Sequence, residues 1–333
     1  MSTLPAPADE PARPHAPAAL EDAAPGYQRP PARELIGQWL RLIDRLSSLL
    51  HAPDVASFKV SLASIDAALQ VLADNDADRV VFVATFLAES EARHYCAAHS
   101  LYVALACHLA SRAIDGWDDR RRAQLRGAAL TMNIAMAAQQ DLMARQFAPL
   151  DTEQRALVDS HETRGAQRLR ELGIDDADWT GAVAQHHRTG PGALETRPPA
   201  EQMARLIQRA DRLTAAHSIR AGRAARSAGD ASRAAYLDEM QQPDAAGAAL
   251  VKALGIYPPG SLVRLANTEV AIVIRRGERA DQPRVAAVVR EDGMPHLSPK
   301  PRDTAQPAMK IIGSLAQETL KVRLSLEALV KLT

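Results

Sequence analysis

The feature that most constrains the fold is a change of hydrophobic period past Gly255. Before it, apolar residues recur at the spacing of a helix. Leu35, Trp39, Leu42, Ile43, Leu46, Leu49 and Leu50 form one stripe. Phe58, Val60, Leu62, Ile65, Leu69 and Leu72 form a second, and Val80, Val83 and Leu87 a third. Pro53 and the turn from Asn75 to Asp78 punctuate them. After the turn-rich hinge G-I-Y-P-P-G-S (Gly255 to Ser261) come the short β-branched runs S-L-V-R-L, E-V-A-I-V-I and R-V-A-A-V-V. This pattern predicts a three-stranded antiparallel appendage, then irregular chain, then a closing helix from about Ser314 to Lys331. Aromatic residues make up only 4% of a chain that is 47% hydrophobic, so Ala and Leu supply much of the apolar count. That balance favours packed helices over sheets.

Four sections follow from composition. Residues 1–33 are dense in Pro and Ala, bury too little to offset ordering entropy, and are expected to form a disordered tail. Residues 34–91 read as an N-terminal helical domain, 92–255 as a larger helical domain, and 256–333 as the β appendage with its closing helix. No internal repeat is visible. The 40 basic and 40 acidic residues cancel, so the chain has no general attraction to nucleic acid or to an anionic membrane. The longest near-continuous apolar run, Val80 to Ala88, is far short of the ~20 residues of a membrane span. No secretory signal is legible, and the expected location is the cytoplasm. Cys96 and Cys107 read as small core residues rather than a disulfide or zinc motif.

The larger helical section carries the candidate ligands. His99 shares a helical face with Val103, Ala106 and Ala110. His161 is in register with Leu157, Gly165, Leu169 and Leu172, and His186 and His187 lie on or beside the face of Val183. Asp211 follows Ile207 by one turn and Met203 by two. One histidine on an apolar face is usually a satisfied core residue. Four histidines and a carboxylate from separate helices point instead to a metal site in a bundle interior, and they are expected around one cavity.

Six motifs carry a resemblance: H-S-L-Y-V-A at His99, A-A-L at Ala128, H-E-T-R-G at His161, A-V-A-Q-H-H ending at His187, R-L-I-Q-R-A-D-R-L-T-A around Asp211, and G-I-Y-P-P-G-S-L-V-R-L at Gly255. In order and approximate spacing the chain resembles an HD-GYP domain, the branch of the HD metal-dependent phosphohydrolases that opens cyclic di-GMP. The resemblance implies an HD-type helical bundle and therefore a mainly α fold. It also implies two or three iron or manganese ions whose bridging hydroxide attacks phosphorus, with a carboxylate holding the ions about 3.5–4 Å apart.

The resemblance breaks at the centre. The family's His-Asp dyad falls on Met132 and Asn133, its lysine on Met136, and the glutamate of some three-metal members on Tyr95. A neutral amide is a poor bridge between cations, and a thioether is too soft for manganese or iron(III). The signature loop reads H-H-R-T-G-P-G-A-L-E-T-R-P, with Arg188 in place of an acid and no GYP triplet. The metal candidates left are His99, His161, His186, His187 and Asp211, sufficient for one divalent ion (iron or manganese) or for none. Arg188 and Arg212 are the candidate cofactor contacts, among nearby basic residues that include Arg164, Arg197 and Arg209. Leu125, Ala128, Ala129, Met132 and Met136 also read as an ordinary core stripe, in which case the site has closed.

Three readings of function stand. The first is a catalytically silent module that binds cyclic di-GMP, a related nucleotide or a signalling partner such as a diguanylate cyclase. The second is a working phosphodiesterase with a remodelled one-metal site at His161, His186 and His187. The third is an interaction scaffold with no nucleotide site. The loss of the dyad, the lysine and the loop together predicts absent or negligible hydrolysis.

Overall fold

The computed structural model describes residues 28–88, 94–190, 192–218, 221, 226–316, 319–320 and 322–333. The expected N-terminal tail lies outside the described residues as far as position 27; from there a short non-helical stretch leads into the first helix. The helices are α1 (Ala32–His51), α2 (Phe58–Asn75), α3 (Ala77–Ala88), α4 (Tyr95–Ser111), α5 (Asp119–Thr131), α6 (Ala137–Arg145), α7 (Thr152–Glu171), α8 (Ala177–Gln185), α9 (Pro199–His217), α10 (Ala228–Tyr236), α11 (Ala245–Leu254) and α12 (Leu326–Val330). The strands are β1 (Leu262–Leu265), β2 (Val270–Arg275), β3 (Arg284–Val289), β4 (Pro295–Asp303) and β5 (Ile311–Leu315). The protein is mainly α with a small antiparallel sheet near the C-terminus, as the change of period predicts.

Local chemistry sets the helix starts. Asp118, Asp176, Ser227 and Asp244 each accept a hydrogen bond from a backbone N–H in the first turn. Asp151 and Gln154 make a reciprocal capping box at the start of α7. α4 is the axis of the bundle: every residue from Tyr95 to Ser111 is buried except Ala98. A helix that is apolar on all sides has to be wrapped, and α1, α3, α5, α9 and α11 pack around it. One continuous apolar cluster runs from Ala32 in α1 to Val330 in α12. The three N-terminal stripes supply it, except that Val60 faces solvent. It lies two residues after Phe58, off the face that Phe58, Leu62, Ile65, Leu69 and Leu72 share.

The sheet has five strands in the order β4-β3-β2-β1-β5, not the expected three. The two additional strands are the edges, where sequence signals are weakest. β4 carries Pro295, Pro299 and Pro301, which an edge strand tolerates and a central one does not. β5 takes up the residues where the closing helix was expected to start, so α12 is confined to Leu326–Val330 behind a Ser325 cap. Side chains alternate along the inner strands. Leu262, Ile272, Ala286 and Val288 join the main core, while Val263, Leu265, Ala271, Val273, Val285 and Ala287 build a second one with Ile311. The hinge docks on α3: a Cβ at Gly260, where φ is +97°, would meet Thr85 at 2.8 Å. Among the described residues no helix is long and apolar enough to cross a membrane.

A buried carboxylate fastens the outer strand to the sheet. Glu269, just ahead of β2, accepts two bonds from Arg302 of β4 (both 2.8 Å) and one from His296 (2.9 Å). The hydrogen bond from Arg302 outweighs burial and brings the Glu269 carboxyl down to about 2. Its folded-state pKa is depressed, so its stabilisation is complete above the ordinary value of 4.5 and is lost as pH falls toward 2. The shift corresponds to about 3 kcal/mol. Denaturant melts should therefore show Glu269→Gln clearly less stable at pH 7, with the gap from the unaltered protein narrowed at pH 3 and closing only near pH 2. An equal gap at both pH values would refute the ionic account of this clasp.

Candidate functional site

Two of the candidate histidines meet because α7 and α8 approach closely. One turn after His161 sits Gly165, where an added Cβ would lie 3.3 Å from Val183 of α8. The absence of a side chain there lets the helices close, and His186, which ends α8, comes to face His161. The two Nε2 atoms are 3.2 Å apart. Each Nδ1 is held by a carbonyl three residues earlier, Val158 for His161 and Val183 (2.8 Å) for His186. His187 follows in the turn, with its backbone N–H donating to Glu162 at 2.7 Å. Its ring centre lies 5.1 Å from that of His161 and 4.2 Å from that of His186. The three histidines form a cluster in which one ligand atom from each lies within 4.8 Å of the others. Burial and the neighbouring imidazoles disfavour the protonated forms of His161 and His186. The His161 ring is pushed below the usual range, chiefly by burial, and that of His186 falls to about 3.

His99 and Asp211 form a separate pair outside that cluster. His99 of α4 donates through Nε2 to the Asp211 carboxylate of α9 at 2.6 Å, and its ring stacks on Tyr95. Burial works to raise the Asp211 pKa. The hydrogen bond from His99, with the other imidazoles nearby, outweighs it and holds the carboxyl well below the usual range.

The positions that depart from the family pattern occupy different settings. α5 ends at Thr131, and Met132 to Met136 form a turn before α6, so the expected stripe is not one continuous helix. Leu125, Ala128, Ala129 and Met132 are fully buried in the main core. Asn133 and Met136 instead line an open cleft of about 1470 Å³. His161, His187, Asp211 and Arg212 line the same cleft. His186 lies behind His161 and His187, fully buried, and His99 reaches the cleft only through Asp211. Three predicted ligands, His161, His187 and Asp211, thus line the cleft, with His186 and His99 buried behind them.

The two candidate cofactor contacts separate. Arg212 lines the cleft, 3.5 Å from Glu239. Arg188 is exposed and turns toward Gln185 and Glu201, away from the cleft lining. Arg209 is fully buried, bonded to Leu237 O at 2.9 Å and paired with Glu239 and Asp244. Arg197 clamps the loop at Gly190 and Gly192, and Arg164 is exposed on α7. The cleft adds residues that sequence reasoning missed. Arg226 and Arg233 line it with no carboxylate partner among the described residues, as do Gln140, whose buried Oε1 has no hydrogen-bond partner, and the exposed Phe147. Nothing in their spacing marked them, since they come from three separate segments.

No family model matches the chain, and no curated protein matches it. Among solved structures it is similar to Bd1817, a HDG"Y"P protein from Bdellovibrio bacteriovorus, at 13% identity and a TM-score of 0.43; the match covers 68% of this chain and 73% of that one.

Proposed function

We propose that this protein is a degenerate HD-GYP-like signalling module that acts by binding cyclic di-GMP or a related nucleotide, not by hydrolysing it. The observation that carries the reading is the composition of the cleft wall. Where two-metal hydrolysis needs a bridging carboxylate, the wall presents the Asn133 amide, and the neighbouring Met132 is buried in the core. Asp211 is engaged by His99. Without a bridge, neither the spacing of two cations nor an attacking hydroxide is fixed. The same cleft retains what recognition of an anion requires. Arg212, Arg226 and Arg233 offer charged donors for phosphate oxygens, and the exposed Phe147 offers a ring face for a base.

Titration calorimetry with cyclic di-GMP tests binding. Arg226→Ala and Arg233→Ala each remove a charged hydrogen bond of about 1.5–3 kcal/mol, so each should weaken binding roughly ten- to a hundredfold. Arg188→Ala should leave the affinity unchanged. No heat of binding to the unaltered protein, or equal affinities in all three variants, would reject the reading and favour a scaffold without a nucleotide site.

A further inference from the structure

The cleft holds one polar side chain that the fold leaves unused. Gln140 lines it, is only 9% exposed, and carries an Oε1 that is sealed from solvent and accepts no hydrogen bond. A buried acceptor without a partner is costly, and native folds keep few of them. From its position we infer that Gln140 reads the base of a bound guanine nucleotide, accepting from the two N–H groups on the Watson–Crick edge. The inference rests on the nucleotide reading of the cleft and names the part of the ligand that this end of it takes.

The helix carrying Gln140 is locked in rotation. One residue on, the Asp141 carboxylate accepts from the Cys96 N–H at the start of α4 at 2.7 Å and lies 3.2 Å from His51 Nε2 of α1. With α6 fixed in this way, Met136 at its N-cap, Gln140, Met143 and Ala144 fall at i, i+4, i+7 and i+8, and all four line the cleft. Two thioethers, a methyl and one amide make a strip that is apolar apart from the amide. The exposed ring of Phe147 belongs to the same lining. A flat heterocycle with donors on its edge suits such a strip, its faces meeting sulfur and carbon and its edge meeting Gln140. An outward rotation of the side chain brings Oε1 to the ligand without breaking any bond that this oxygen makes.

A donor for the phosphates is tied to the same end. Ala221 donates its N–H to Ala144 O at 2.8 Å, and the Arg226 N–H, five residues on, donates to Ala216 O at 2.9 Å. The segment that carries Arg226 is therefore fastened to the C-terminal part of α6. A ligand that joins an anion to a planar base can engage both.

The edge of the base decides which one is taken. A carbonyl oxygen has two lone pairs. Guanine presents its ring N1–H and its N2 amino group side by side, so both lone pairs can be filled. Adenine presents one amino group beside a bare ring nitrogen, whose lone pair would face the acceptor. A site built to hydrogen-bond a group discriminates against the analogue that lacks it.

Titration calorimetry of the full chain with cyclic di-GMP, cyclic di-AMP and 5′-GMP tests this, repeated on Gln140→Leu and on the closer isostere Gln140→Met. Replacing an unpaired buried polar group with an apolar one of similar shape is neutral or stabilising, so both variants should melt at or above the unaltered protein. The unaltered chain should favour cyclic di-GMP over cyclic di-AMP by at least about tenfold, the value of a single hydrogen bond or more. In the variants the preference should fall to within about threefold, through weaker binding of the guanine compound. Variants that melt lower and keep the full preference would show that Gln140 serves the fold alone and would overturn the inference. Equal binding of the two cyclic compounds to the unaltered chain would overturn it too, while leaving the proposed function standing. Binding of 5′-GMP that the variants weaken, without binding of cyclic di-GMP, would reject the proposed function and support the base site. No binding of either guanine compound would reject both.

Discussion

Replacing Asp244 with alanine should destabilise the protein by about 3–5 kcal/mol, the cost of leaving partnered charges buried without their counter-ion. Asp244 accepts from Arg205 at 2.7 and 2.8 Å, lies 3.5 Å from Arg209, and caps α11 through the Gly247 N–H at 3.0 Å. Both arginines are buried on α9, and the Arg209 Nε already has no partner. After the substitution, Glu239 alone would answer two buried guanidiniums and also Arg212. That carboxylate belongs to the cleft wall, so its rearrangement should reach the ligand site as well. Asp244→Asn retains an acceptor for the cap and loses the charge, so its cost should be intermediate. Urea melts at neutral pH check both. A loss under 1 kcal/mol for Asp244→Ala would mean that the network is surplus to the fold.

The double substitution Met132→His with Asn133→Asp restores the family's dyad on paper and is expected to fail in this chain. Met132 is fully enclosed by the main core, so a histidine there exchanges apolar contacts for a polar ring with no partner. The expected loss is several kcal/mol, or about 2–5 if the site behaves as a large-to-small core change with an added polar penalty. Asn133 is itself buried, so Asn133→Asp adds a carboxylate with no cationic partner and compounds the loss. Thermal melts with and without manganese separate the outcomes. The double variant should melt well below the unaltered protein and gain no protection from manganese. Stability regained with manganese would show instead that the ancestral centre is still held in geometry.

How far the sequence reveals this molecule follows from the range of the forces involved. The helical stripes are local, and Leu35 to Leu50 and Phe58 to Leu72 locate α1 and α2 almost to their ends. The hinge at Gly255 to Ser261 and the central strands are equally plain, because inner strands must be β-branched and apolar on both faces. β4 is hidden because an edge strand needs no apolar alternation and tolerates its three prolines. At the site, the motifs identify His161, His186 and His187 as neighbours. Only the folded chain shows that Gly165 lets α7 close on α8 until the Nε2 atoms of His161 and His186 face each other. The pairing of His99 with Asp211 spans 112 positions and leaves no local trace. Charge alone also misleads. Arg209 reads as a cleft cation and is instead buried in a structural ion network, while Arg226 and Arg233, which do line the cleft, have no pattern to announce them.

The central claim is that the cleft recognises a cyclic dinucleotide without cleaving it. The most direct measurement is the fate of cyclic di-GMP incubated with the purified full-length protein and zinc, manganese or iron, followed by chromatography of the nucleotide. The account predicts recovery of the intact cyclic compound under all three metals. Metal-dependent conversion to the linear dinucleotide, with many turnovers per chain and loss of activity in His187→Ala, would contradict it.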